Sequence, residues 1–252
     1  MEEENYFSDI SKVLEDLPLD FNILEEQIDI EDQMEYFKSS QKMREMEIDQ
    51  DMLENSDELF SDETAIERKK EILTSLALID DVKAYRKLEE YCDQAGPEIR
   101  NWAVMAMQES RMILKSSLLD EKQVFISTGL GGKGQKLRYY VVFMNRIADR
   151  VLNSTQQKVI RNELTFRLGQ EAGELESIDF SNGFSSSLLL LPVKSDIHEV
   201  FRNIIEECNQ YGDFLEEDLI ITNVKVLTGK EITDIIEKKN KDEEDKFELE
   251  EE

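Results

Sequence analysis

The chain has 252 residues, of which 40% are hydrophobic and 35% charged, and a formal net charge of −28. That length can bury a substantial core, and the absence of any run near about eighteen consecutive apolar residues excludes a membrane-spanning helix. The start Met1-Glu2-Glu3-Glu4-Asn5 lacks the basic end and apolar stretch of a secretory signal, so a cytoplasmic location is expected.

The charge is unevenly placed. Met1 to Glu63 hold 22 acidic against 4 basic residues, and Asp242 to Glu252 hold 8 against 1, which leaves the middle of the chain near neutral. Within that middle, Lys122, Lys133, Lys136, Arg138, Arg146, Arg150, Lys158, Arg161 and Arg167 face only Asp149 and Glu163. The expected organisation is an acidic, partly helical arm over 1–63, a helical module over 64–121, an α/β domain over 122–230 and an acidic tail over 231–252.

In the arm, Asp20 to Glu47 contains no Gly or Pro but many large apolar residues at rough helical spacing, which predicts one or two helices. Phe21, Leu24, Ile28, Met34 and Phe37 need a surface to cover, on this protein or on a partner, and are the candidate partner-binding residues. Asp49 and Asp51 begin like a calcium loop but lack its central Gly and final Glu.

Three helices follow, over about Thr64 to Ile79, Asp81 to Asp93 and Pro97 to Leu118. Gly96-Pro97 separates the last two, Gly ending one helix and Pro opening the next. The stretch Pro97-Glu98-Ile99-Arg100-Asn101-Trp102-Ala103-Val104-Met105-Ala106-Met107 resembles the second helix of a HEAT repeat, and Arg68 would mark a preceding repeat. The resemblance spans 64–119 at most. It implies a short array that must lean on something else, because such arrays are normally stable with three or more repeats. An unrelated three-helix segment is the plainer alternative.

Beyond Lys122 the period changes. Strands are predicted over Gln123–Thr128, Leu137–Met144, Glu174–Phe180, Ser185–Val193 and Asp218–Leu227, with helices over Ser154–Leu168 and Asp196–Tyr211. Asn182-Gly183 marks a hairpin turn. Without the first strand the order is β-α-β-β-α-β, a ferredoxin-like arrangement. Its first and third strands should be central, and Tyr139–Met144 and Leu188–Leu191 are indeed nearly continuous apolar runs. The fold class is therefore α+β, with an extra N-terminal strand or hairpin over Gln123–Thr128 for which the sheet offers no free edge. Two helices cover only one sheet face. The other should be covered by the helical module, the arm or a second copy in a homodimer.

Gly129-x-Gly131-x-x-Gly134 matches the letters of a dinucleotide loop, but a strand follows it where the chemistry needs a helix N-terminus. It reads as a mobile loop with Lys133 and Lys136 at its tip. His198 is the sole histidine, on the flank of an amphipathic helix, and Ser185-Ser186-Ser187 lacks the flanking glycines of a nucleophile elbow. Cys92 and Cys208 read as buried thiols. No nucleophile, base and orienting group assemble from this sequence, and no cofactor or metal is expected.

Lys133, Lys136, Arg138, Arg146, Arg150, Lys158 and Arg161 are the candidate contacts to a polyanion or an acidic surface. Tyr139, Tyr140 and Phe143 on a central strand resemble an RNA-stacking sheet, although the accompanying Gly-aromatic pattern is missing. The favoured reading is a non-catalytic adaptor or chaperone-like module that binds a basic protein through its acidic arms. The alternatives are a nucleic-acid (RNA) binder whose basic stretch 122–168 the arms cover, and a small-molecule-sensing regulatory domain.

Overall fold

The computed structural model describes residues 21–46, 52–120, 123–148 and 150–238. The first twenty residues, the Asp49/Asp51 pair, Lys122, Asp149 and the tail from 239 lie outside them. The molecule is mixed helix and sheet, an α+β protein.

The arm opens with β1, Phe21–Ile23, and continues into α1, Ile30–Arg44. Asp29 caps α1 by accepting from the Glu31 amide; Glu31 and Asp32 lie in its first turn, Lys42 and Arg44 in its last. Each charge thus sits at the favourable end of the helix dipole. After a 3-10 helix, Glu54–Phe60, come α2, Ile66–Ala77, α3, Val82–Gln94, and α4, Arg100–Leu119. Their apolar stripes bury Ile72, Leu73, Leu76, Leu88, Trp102, Ala103 and Ala106. The third helix starts at Arg100, because Pro97 to Ile99 form a turn and Ile99 keeps a non-helical ψ of −2° at φ −128°. Val82, the first residue of α3, is exposed.

The second half consists of β2, Val124–Ile126; β3, Gly132–Lys133; β4, Lys136–Asn145; α5, Ser154–Gln170; β5, Glu174–Phe180; β6, Phe184–Pro192; α6, Ile197–Asn209; and β7, Leu215–Thr222. The last strand begins and ends earlier than expected, and Val224 and Val226 are exposed beyond it. In the larger sheet β5 pairs with β6, β6 with β4, and β4 with β7, all antiparallel, so β4 and β6 are central. The two-residue β3 shares the β7 side of β4. Tyr139, Val141 and Phe143 of β4 pack with Leu189 and Leu191 beneath Ile160, Leu164, Phe201 and Ile204 of α5 and α6.

The other sheet face is covered from within the chain. Residues 229–238, expected as mostly tail, are helical. Ile232 is buried with Tyr140, Val142 and Leu130, and Ile236 and Leu227 pack against them. Thr228 and Glu231 cap this helix reciprocally, the Thr228 amide donating to Oε2 at 2.8 Å and the Glu231 amide to Oγ1 at 3.3 Å. Tyr140 and Val142 on this face are thus covered by residues of the chain itself.

The segment Gln123–Thr128 does not join the larger sheet either. β2 pairs in parallel with β1, with Phe21 opposite Val124 and Ile23 opposite Ile126. This two-stranded sheet is a seam between the two cores. Phe21 and Ile23 belong to the α/β core with Val124 and Ile126, whereas Leu24, Ile28 and Phe125 pack in the helical one. Long-range pairing with the arm thus supplies the partner that the larger sheet could not.

Candidate functional site

The five candidate partner-binding residues of the arm separate into two groups. Phe21, Leu24 and Ile28 are buried in the protein's own cores and are withdrawn from any partner. Each such side chain contributes about 1.5–3 kcal/mol by leaving water. Met34 and Phe37, on the outer side of α1, remain 51% and 42% exposed.

Phe37 stands at a groove of about 570 Å³ between α1, α4 and β2. Met105, Met112, Ile113 and Phe125 supply its apolar lining; Ser40, Gln41, Arg44, Glu109 and Ser127 supply the polar part. Glu109 is almost enclosed and receives three donors from α1. These are the Tyr36 hydroxyl at 2.5 Å, the Ser40 hydroxyl at 2.7 Å and the Arg44 guanidinium at 2.5 Å. Burial, followed by the adjacent Glu109 charge, pushes the Tyr36 phenol well above its ordinary range, so the Tyr36 hydroxyl keeps its proton and donates it. The cluster fastens α1 to α4.

The floor of the groove has a further property. The Leu24 amide donates to the Ile126 carbonyl at 3.0 Å, so Ile126 turns its backbone groups toward β1. By the alternation of a parallel ladder, Phe125 turns its backbone groups to the opposite edge of β2.

The basic residues are dispersed. Lys133 lies 3.7 Å from Glu174, Arg138 donates to both Glu176 oxygens at 2.5 and 2.9 Å, and Arg146 lies 3.1 Å from Asp213. These acids belong to the α/β half. The arm's described ion pairs go elsewhere, Glu35 to Lys70, Asp57 to Lys87 and Glu58 to Arg68. Glu25 reaches the glycine loop, accepting from the Gly134 amide at 3.0 Å, and its charge also acts on Arg138. Among the described residues, the arm's ion pairs thus fall mostly on the helical module, and Glu25 is its acidic contact at the basic stretch. Lys136, Arg150, Lys158 and Arg161 have no acidic partner within salt-bridge distance among them, and the last two lie on the exposed side of α5.

The base of the glycine loop is packed, while its tip at Lys133 to Gln135 is exposed. A Cβ on Gly129 would lie 1.8 Å from the Val224 carbonyl oxygen, and one on Gly131, at φ +65°, 2.5 Å from that of Glu26. The glycines let three segments of backbone meet. Tyr139, Tyr140 and Phe143 are buried, so they offer no stacking platform for bases. Ser185, Ser186 and Ser187 are buried on β6, and His198 is exposed on α6. Cys92 and Cys208 are buried free thiols. Among the described residues no group of three His, Cys, Asp or Glu is arranged to hold a metal, and no helix is long and apolar enough to cross a membrane.

The groove was only half legible in the sequence. Phe37 is visible as an apolar residue in an acidic arm, but nothing in the sequence singles out Met112 or Phe125, which α4 and β2 bring to the same cleft. Glu109 carried no signal among so many carboxylates.

No family model matches the chain, and no curated protein matches it. Among solved structures, a putative transposase from Deinococcus radiodurans R1 is 16% identical with a TM-score of 0.36, over 42% of this chain and 95% of that one. A C-terminal segment of the alpha subunit of aIF2 from Pyrococcus abyssi is 13% identical with a TM-score of 0.23, over 77% and 98%. At scores this low neither likeness assigns a fold or a function.

Proposed function

We propose that this protein is a non-catalytic interaction module, an adaptor or chaperone-like binder of a basic protein partner, in which a HEAT-like helical module and a ferredoxin-like sandwich are fused through the arm. The antiparallel order β5-β6-β4-β7, with α5 and α6 on one face, supports the sandwich. The Arg100 guanidinium bonds the Cys92 carbonyl and ties the start of α4 to α3, which supports a repeat-like helical pair.

The observation that carries the interaction reading is the groove. Apolar side chains from α1, α4 and β2 line an open cleft, with Phe37 half exposed at it, on a protein of which 35% of the residues are charged. Such a concavity in a charged surface is where a partner's apolar anchor gains most by leaving water. The acidic ends supply steering for a basic partner and the groove supplies burial. The test is capture from nuclease-treated extract by the full chain and by Phe37→Glu. A basic protein held by the wild type and lost from the variant supports the reading. Identical capture by both contradicts it.

The nucleic-acid alternative retains one observation, the four cations Lys136, Arg150, Lys158 and Arg161 without acidic partners among the described residues. Retention on RNA that falls steeply with salt would favour it. For a small-molecule sensor, the groove has the volume but a wide opening to solvent.

A further inference from the structure

We propose that residues 1–20 of this chain occupy the groove between α1 and α4 when no partner is bound, so that a partner must displace them. The proposal rests on the groove being the interaction site.

The first support is where the segment is tethered. Phe21 pairs with Val124, the residue before Phe125, which lines the groove. Paired strands lie about 4.8 Å apart, so the segment begins within one or two strand spacings of the cleft. Twenty residues reach as far as roughly 66–72 Å when extended, ample for a return path around β2. From Met105 to Ile113 the α4 wall rises about 12 Å.

The second support is what the segment carries. Phe7, Ile10, Leu14 and Leu17 recur at steps of three, four and three, the spacing of one helical face. Ten helical steps span about 15 Å, a length that matches the α4 wall. The segment has seven acidic residues against Lys12 alone. Arg44, with a side chain 56% exposed, is the exposed charge of the groove lining, and Lys38 and Lys42 stand further round the same helix. Acid therefore meets base on docking. A short tether also raises the local concentration to about the millimolar range, so even weak affinity keeps the cleft filled. A basic partner has a double advantage, since it neutralises the segment while its own apolar anchor takes the place released.

The experiment uses the full chain without a partner. Ser8→Cys carries a nitroxide label, which the buried Cys92 and Cys208 do not compete for. Methyl signals of Met112 and Ile113 should lose most of their intensity, whereas those of Ile147 and Val151, exposed in the α/β half, should keep it. Adding Phe7→Asp and Leu14→Asp to the labelled chain, or Phe37→Glu on the groove side, should restore the Met112 and Ile113 signals. Equal intensities at Ile113 and Ile147, or losses that persist in both variants, would overturn the proposal. Because no partner is present, this result is independent of whether a basic protein is captured.

Discussion

The phenol of Tyr36 donates to Oε2 of Glu109 at 2.5 Å, across the contact between a helix of the acidic arm and the longest helix of the module. Tyr36 is fully buried, and its ring lies edge-on to Trp102 at 5.3 Å between centroids. Through this contact α1 joins the core of the helical module. Tyr36→Phe keeps the ring and should cost about 1 kcal/mol, because Ser40 and Arg44 still serve the carboxylate. Glu109→Leu leaves the Tyr36 hydroxyl buried without an acceptor and should cost about 2–4 kcal/mol. Thermal melts of the two variants check the order; equal losses would mean that the carboxylate is not the hub.

Alkaline pH should unfold the protein in a defined window. Burial pushes the Cys208 thiol from 9.0 to about 12 and the Tyr139 phenol from 10.0 to about 12. The folded state then holds protons that the unfolded chain releases, so this stability is complete below about pH 9 and is lost as pH rises toward 12. Urea midpoints should be flat from pH 7 to 8.5 and fall above 9. Cys208→Ala should lower the midpoint at pH 8 through the cavity it leaves, yet flatten the decline between pH 9 and 10.

The glycine loop permits an internal comparison. Gly134→Ala places its Cβ in open space, at φ +60°, and should cost about 1 kcal/mol of backbone strain. Gly131→Ala has the same conformation but drives a Cβ into the Glu25 and Glu26 carbonyl oxygens, and should cost well over about 2 kcal/mol. Chemical denaturation distinguishes them, and similar losses would contradict the packed loop.

At the other terminus, truncation after Glu237 should leave the melting temperature within a few degrees, whereas truncation after Leu227 uncovers Tyr140, Val142 and Leu130 and should lower it far more. Lys225 and the Thr228 cap hold the Glu231 carboxyl down to about 2. The cap should therefore hold above about pH 4.5 and weaken as pH falls toward 2, which helical circular dichroism of the full chain can follow against Glu231→Gln.

Period and punctuation made the individual elements legible. Glu174–Phe180 coincides with its expected bounds, and the central placement of β4 and β6 follows from their unbroken apolar runs. Long-range pairing was hidden. Three-residue strands such as β1 and β2 have no period to read, and their partners lie about a hundred residues apart in the chain. The terminal helix was hidden for another reason: Ile232, Ile235 and Ile236 are few among charges, so composition alone suggested a tail. Likewise the basic stretch looked continuous in sequence, yet strand pairing sets Glu174 and Glu176 beside Lys133 and Arg138.

Hydrogen exchange of the full chain, alone and saturated with a captured basic partner, tests the interaction reading most directly. The account predicts slower exchange on binding at residues 34–44 of α1, 105–117 of α4 and 125–127 of β2, with α5 unchanged. Protection confined to the exposed side of α5 around Lys158, Arg161 and Phe166, with the groove unaltered, would contradict it.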